Sequence, residues 1–167
     1  MQRKFTQAAV VEIDPSPAEI RRLFAAGDVT DETAVAGLFD TAGPCDIVIA
    51  NAGAAESAPF AKCDAALFAR MMDVNFMGVV HSVQAALPSM KTRPYGRIVA
   101  VASTAGLKGY AYVSAYVAAK HAVVGLVRAL ALELATTPIT VNAVCPGFTD
   151  TDLVAGSIDT IMKKTGR

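Results

Sequence analysis

The segment Arg97-Ile-Val-Ala-Val-Ala-Ser103 decides how this chain folds. Its middle, residues 98–102, is a short apolar run rich in valine, bounded by Gly96 and Ser103. A run of that length and composition reads as a buried strand. Ser103 then stands at the strand's carboxyl end, where open α/β sheets bind ligands. Downstream, residues 115–135 read as a helix. Ile139-Thr-Val-Asn-Ala-Val144 reads as a further strand, stopped by Cys145-Pro146-Gly147. Upstream, Asp46-Ile-Val-Ile-Ala50 reads as another buried strand, feeding the loop Asn51-Ala-Gly-Ala-Ala55. Side chains that small let backbone approach a flat ligand closely. Strands alternating with helices predict an α/β fold, a doubly wound parallel sheet of Rossmann type in one domain.

The remaining stretches are less patterned. Residues 8–13 read as a strand ended by Asp14-Pro15. Residues 17–23 read as a short helix or turn, with Ser16 as N-cap. Residues 24–27 form a short apolar piece before Asp28-Val29, and residues 30–39 read as a helix capped by Thr30. Thr33 stands where a capping-box acid would otherwise sit, and Gly43-Pro44 breaks the helix. Residues 65–90 read as one long helix. Its apolar positions Leu67, Phe68, Met71, Met72, Val74 and Val79 recur at helical spacing, with Asn75 mid-stretch. Residues 104–113, with Gly106 and Gly109, read as a loop over the site. Residues 151–164 read as a helix or a flap over substrate.

Composition narrows the function. Of the 167 residues 53% are hydrophobic, and mean hydropathy is +0.41, enough for a full α/β core. Formal net charge is zero and no basic block stands out, which argues against nucleic-acid binding. No apolar run reads as membrane-spanning, since Arg128 and Glu133 interrupt the longest candidate. The start, Met1-Gln-Arg-Lys, shows no signal-peptide pattern. Cys45, Cys63 and Cys145 lack paired or metal-type spacing, so free thiols in a reducing cytoplasm are expected, and no metal. His81 and His121 read as structural.

Chemistry concentrates in Ser114-Ala-Tyr116-Val-Ala-Ala-Lys120-His-Ala-Val-Val-Gly125. On a helix, Tyr116 and Lys120 lie on one face, one turn apart. A phenol has a free pKa of about 10, and an ammonium beside it favours the phenolate. Such a tyrosine can take a proton from an alcohol or return one to a carbonyl. Alone, the pair also fits an amphipathic helix with no chemistry.

Asn51-Ala52-Gly53, Asn75, Ser103, Tyr116-x-x-x-Lys120 and Pro146-Gly147-x-x-x-Thr151 occur in that order. Together they resemble the short-chain dehydrogenase/reductase family (SDR), the classical branch, from about Val10 to about Leu153. The resemblance implies an NAD(P)-dependent oxidoreductase that interconverts a secondary alcohol and a ketone by hydride transfer. It implies Tyr116 as general acid/base, Lys120 as the residue that lowers its pKa and binds the nicotinamide ribose, Ser103 on the substrate oxygen, and Asn75 at a helix kink holding a relay water. It places Asp28 and Val29 at the adenine, Asn51, Ala52 and Gly53 at the adenine ribose side, and Pro146, Gly147, Thr149 and Thr151 beside the carboxamide. Glu12 falls roughly where the family sets an acid on the adenosine ribose. An acid there accepts from the 2′-hydroxyl and repels a 2′-phosphate, so NAD is expected over NADP.

The segment around Tyr116 and Ala143-Val-Cys-Pro-Gly-Phe resembles members acting on 3-hydroxyacyl or 3-oxoacyl thioesters, or on hydroxybutyrate. The stretches 65–90 and 115–135 resemble the helices of four-helix dimer interfaces, so a homotetramer or homodimer is expected. Before Ala8 nothing resembles Thr-Gly-x-x-x-Gly-x-Gly, and after Arg167 no final helix and strand follow. By resemblance the fold lacks its first βα unit and its last helix–strand. The sequence is therefore expected to be an incomplete form of the fold, with a seam near Phe5–Ala9. A catalytically silent binding or assembly module is the alternative.

Overall fold

The computed structural model describes residues 27–147, together with the backbone of Ala9–Val11 (β1) and Arg22–Phe24 (β2). Helix α1 spans Glu32–Ala42 and strand β3 Ile47–Ala50. Helix α2 spans Ala65–Met72 and α3 Gly78–Met90, joined by one π turn at Asp73–Met77. Strand β4 spans Gly96–Val101, helix α4 Ser114–Glu133 and strand β5 Ile139–Val144.

Strands β3, β4 and β5 form a parallel sheet in that order, with Ile47 opposite Arg97 and Gly96 opposite Ile139. The strands read from the apolar runs are therefore present and parallel, joined by helices, as in the Rossmann-type fold. Their alternate side chains Val48, Ala50, Ile98, Ala100, Ile139 and Val141 face one core with α3 and α4. Ile98 and Ala100, on the middle strand, are fully buried. On the other face Ile47 and Ile49 of β3 are 41% and 62% exposed. The run that read as a strand buried throughout is thus buried on one face only.

Several boundaries move for physical reasons. Residues 17–23 do not form a short helix or turn throughout, because Arg22–Phe24 is a strand. It pairs with β1 antiparallel, not parallel. A parallel pair needs a crossover of roughly a dozen residues or more, usually a helix, which the connection 12–21 scarcely allows. Thr30 does not cap α1. Asp31 does, its carboxylate accepting from the backbone N–H groups of Thr33 and Ala34. Thr30 is held instead by Asp28, whose Oδ1 accepts from both its N–H and its hydroxyl. Gly43 ends α1 with φ 78, in the left-handed region that glycine adopts without strain.

Residues 65–90 run as one continuous helical stretch with a π turn inside it. At that turn, where the helix widens, the Asn75 amide donates to the Met71 carbonyl at 3.0 Å. Helix α4 is long and apolar enough by length and composition to cross a membrane, contrary to the reading of its sequence. Its Ala119, Lys120, Val123, Val124 and Val127 are buried against the rest of the protein, as in a core helix. None of the three cysteines is in a disulfide, and no cluster of metal-ligating side chains occurs among the described residues. The stretch 151–164 lies outside the described residues.

Candidate active site

The carboxyl ends of β3, β4 and β5 carry Asn51–Gly53, Ser103 and Cys145–Gly147 respectively. Backbone bonds hold them at one edge of the sheet. The Ala102 N–H donates to the Val144 carbonyl at 2.8 Å, and the Thr104 N–H to the Pro146 carbonyl at 2.8 Å. Ser103 therefore leaves the sheet in register with the Pro146-Gly147 turn. Its backbone is extended, and its hydroxyl oxygen accepts from the Ala105 N–H at 3.1 Å. That bond uses a lone pair and leaves the hydroxyl proton available to a second partner.

Tyr116 lies in the first turn of α4 with its ring partly buried. The Ser103 hydroxyl is its polar neighbour at this edge. Burial pushes the phenol above its ordinary value, and the Ser103 hydroxyl works against that push. Lys120, one turn on, is only 4% exposed. Its ammonium donates to the Val101 carbonyl at 2.9 Å and sits 5.7 Å from the centroid of the Tyr116 ring. Burial brings the lysine down to about 8, partly offset by the neighbouring Cys145. The cation thus addresses the ring face and β4, and burial sets the direction of the tyrosine's shift. A helix placed across the end of β4 brings Ser103, Tyr116 and Lys120 together.

Asn75 is fully buried beneath this edge. Its Oδ1 accepts from the Ala54 N–H at 3.2 Å, and its Nδ2 donates to the Ala54 carbonyl at 2.9 Å and to Met71. The side chain therefore grips Ala54 on both backbone groups, as a neighbouring strand would. Both amide protons are committed, so Asn75 fastens the loop after β3 to the π turn. Gly53 fills the remaining gap: a Cβ there would stand 2.9 Å from Asn75 Oδ1 and 3.6 Å from Lys120 Nζ. It is Asn75 Oδ1, itself held by the Ala54 N–H, that leaves no room for a side chain here.

Other residues singled out in the sequence are placed as follows. Asn51 and Gly53 are exposed and Ala52 partly so, in the loop at the sheet's carboxyl edge. Asp28 is exposed, while Val29 is buried under α3, where a Cβ on Gly78 would meet its side chain at 3.0 Å. His81 Nδ1 lies 3.0 Å from the Val29 carbonyl, a structural bond that fixes the Asp28-Val29 segment. Pro146 and Gly147 stand at the sheet edge, and among the described residues nothing lies within 4 Å of a Cβ on Gly147. Glu12, Thr149 and Thr151 lie outside the described residues. Two participants had no legible sequence signal. One is Gly106, whose turn abuts the Lys120 backbone. The other is Tyr112, with φ 67, whose carbonyl accepts from the Ala58 N–H at 2.7 Å.

A family model described as short chain dehydrogenase matches residues 2–161. The chain belongs to the short-chain dehydrogenase family. It is 43% identical over 141 residues to a cis-4-hydroxycyclohexanecarboxylate dehydrogenase of Sinomonas cyclohexanicum, covering 81% of this chain and 57% of that protein. It is 42% identical over 129 residues to a D-beta-hydroxybutyrate dehydrogenase of Cupriavidus necator, covering 74% and 48%. The solved structure of ElxO with NADP bound shares the fold with TM-score 0.74 and 33% identity, over 80% of this chain and 56% of that one. As a short-chain dehydrogenase, the chain spans about half the length of the curated relatives it matches.

Proposed function

We propose that this short-chain dehydrogenase is an NAD(P)-dependent oxidoreductase that interconverts a secondary alcohol and a ketone, with Tyr116 as the general acid/base. The observation that carries the reading is the convergence of Ser103, Tyr116 and Lys120 at the carboxyl edge of a parallel sheet. The substrate oxygen would accept from the Ser103 hydroxyl, whose own oxygen is occupied by Ala105 N–H. Tyr116 would take the alcohol proton, or return it to the carbonyl oxygen. The buried Lys120 ammonium would favour the phenolate through the ring face, and Asn75 would keep its turn and the Asn51–Gly53 loop in place. Any relay water at Asn75 would be held by the backbone of the π turn, since its amide protons are engaged.

The residues at the sheet edge fit a flat dinucleotide. Asn51 to Gly53 present small side chains and backbone, Gly147 has open space at its Cα, and Lys120 stands beside Gly53. Asp28, Val29, Asn51, Ala52, Gly53, Pro146, Gly147, Thr149, Thr151, Tyr116 and Lys120 would hold it. When bound, it accepts or supplies the hydride. Glu12 favours NAD over NADP by its charge, while the related ElxO binds NADP. Titration with both cofactors decides this, and tighter binding of NADPH would remove the assignment. A 3-hydroxyacyl or 3-oxoacyl thioester, or hydroxybutyrate, is the proposed substrate, and the hydroxybutyrate dehydrogenase relative supports that choice. A homotetramer or homodimer in the cytoplasm completes the proposal. The direct test follows absorbance at the reduced-nicotinamide band with a panel of secondary alcohols and ketones. No turnover with any member, and no cofactor binding, would leave a silent assembly module.

A further inference from the structure

His81 is a buried polar side chain that the proposed proton transfer does not use. It is 8% exposed, and Val29, which it meets, is buried as well. Its Nδ1 stands 3.0 Å from the Val29 carbonyl oxygen. A carbonyl only accepts, so Nδ1 carries the proton and donates. Three residues earlier on α3, Gly78 lies against the same residue: a Cβ there would stand 3.0 Å from Val29 Cγ2 and 3.1 Å from its Cβ. Three residues before that, Asn75 holds both backbone groups of Ala54. Asn75, Gly78 and His81 are all buried. One helical stretch thus holds two segments distant in sequence, Asp28-Val29 and the loop after β3.

The bond to Val29 bears on its neighbour Asp28. Asp28 is exposed, and its Oδ1 accepts from the Thr30 N–H at 2.9 Å and from the Thr30 hydroxyl at 2.8 Å. Its backbone carbonyl accepts from the Asp31 N–H at 3.0 Å. The carboxylate is therefore aimed by a turn, and the turn is moored to α3 at Val29. A carboxylate has a second oxygen to accept with. Such a group favours a base edge that donates, as the exocyclic amine of adenine does, over the oxo group that hypoxanthine presents in its place.

We propose that His81 is a positioning residue for the adenine end of the cofactor: its bond to the Val29 carbonyl, with Gly78 packed against Val29, sets where the Asp28 carboxylate meets the base. This rests on the oxidoreductase reading above, in which Asp28 and Val29 hold the adenine, and adds to it a residue that acts through Val29.

The test measures binding to the full chain of the reduced cofactor, NADH or NADPH as titration selects, and of its hypoxanthine analogue, by nicotinamide fluorescence. His81→Leu removes the donor, and His81→Asn keeps an N–H where Nδ1 stood. Gly78→Ala favours the helix and presses on Val29 with His81 in place. The wild type is expected to bind the adenine form about tenfold more tightly, the scale of one hydrogen bond to a charged group. That preference should fall below about twofold in His81→Leu, fall at least about threefold in Gly78→Ala, and largely persist in His81→Asn. A general loosening of the fold would weaken both dinucleotides alike and leave their ratio unchanged. A wild-type ratio in His81→Leu overturns the proposal, or, should that variant fail to fold by circular dichroism, a wild-type ratio in Gly78→Ala. Equal loss in His81→Asn and His81→Leu overturns it too, as does a wild type with no preference, and each of these leaves the oxidoreductase reading standing. A wild type that binds neither dinucleotide and turns over no alcohol or ketone overturns both.

Discussion

Gly106 lies directly against Lys120: a Cβ on the glycine would stand 2.6 Å from the lysine's carbonyl oxygen and 3.0 Å from Val124 Cγ2. The short turn after β4 therefore touches the backbone of α4 with nothing between them. That closeness lets Ser103, at the start of the turn, reach Tyr116 one helical turn before Lys120. The spacing of Ser103 from Tyr116 is set by a residue that has no side chain.

Gly106→Ala is accordingly expected to push α4 away from the turn. Because the obstacle is backbone, no side-chain rotation relieves it, and overpacking of this kind costs about 1–3 kcal/mol. Turnover should fall further than that loss of folded protein explains, since Ser103 and Tyr116 separate. Urea unfolding and activity measured on the same preparations check both parts.

Asn75→Ala leaves the Ala54 N–H and carbonyl buried without partners. Unpaired buried groups and the space left by the amide together cost about 2–4 kcal/mol. The expected result is a lower urea midpoint and loss of cofactor binding, because the Asn51–Gly53 loop is no longer fastened. A midpoint unchanged from wild type contradicts this role.

Lys120 makes stability depend on alkaline pH. Below about 8 the lysine is charged in both the folded and unfolded chain, and its burial penalty is fully present. Between about 8 and its ordinary value of 10.5, the folded chain has released a proton that the unfolded chain still holds. Raising pH through that window favours the folded state, by at most about 1.4 kcal/mol per pH unit. Tyr116 acts in the opposite direction, but only above its ordinary value of 10.0, where the folded chain keeps a proton that the unfolded chain loses. Stability should therefore rise from about pH 8 to 10 in the wild type, and this rise should be absent in Lys120→Met. Thermal or urea melts across that range read the difference.

Asp31→Ala removes the cap of α1 and should cost about 1 kcal/mol. Thr30→Ala, which leaves that cap intact, should cost less. Paired urea titrations distinguish the two positions.

The candidate site was legible in its placement: Ser103 ends a valine-rich strand, and Tyr116 and Lys120 stand one turn apart on a helix. The strands read from apolar runs were also found, because burial on the core face imposes that composition. What stayed hidden depends on contacts between distant parts of the chain. No local pattern shows that Asn75 grips Ala54, that Tyr112 takes a left-handed backbone to meet Ala58, or that Gly106 abuts Lys120. The cap moved from Thr30 to Asp31 because both residues suit the role and only the turn at Asp28 chooses between them. The pairing of β1 with β2 followed the length of their connection and not the alternation of strands and helices.

The central claim concerns one proton at Tyr116. Turnover and cofactor binding are to be measured side by side on the wild type and Tyr116→Phe, with fluorescence of the reduced cofactor reporting binding. The phenylalanine variant should bind cofactor nearly as tightly as wild type while its turnover falls by roughly 100-fold or more, the scale of a lost general acid/base. Turnover that survives the loss of this hydroxyl contradicts the account.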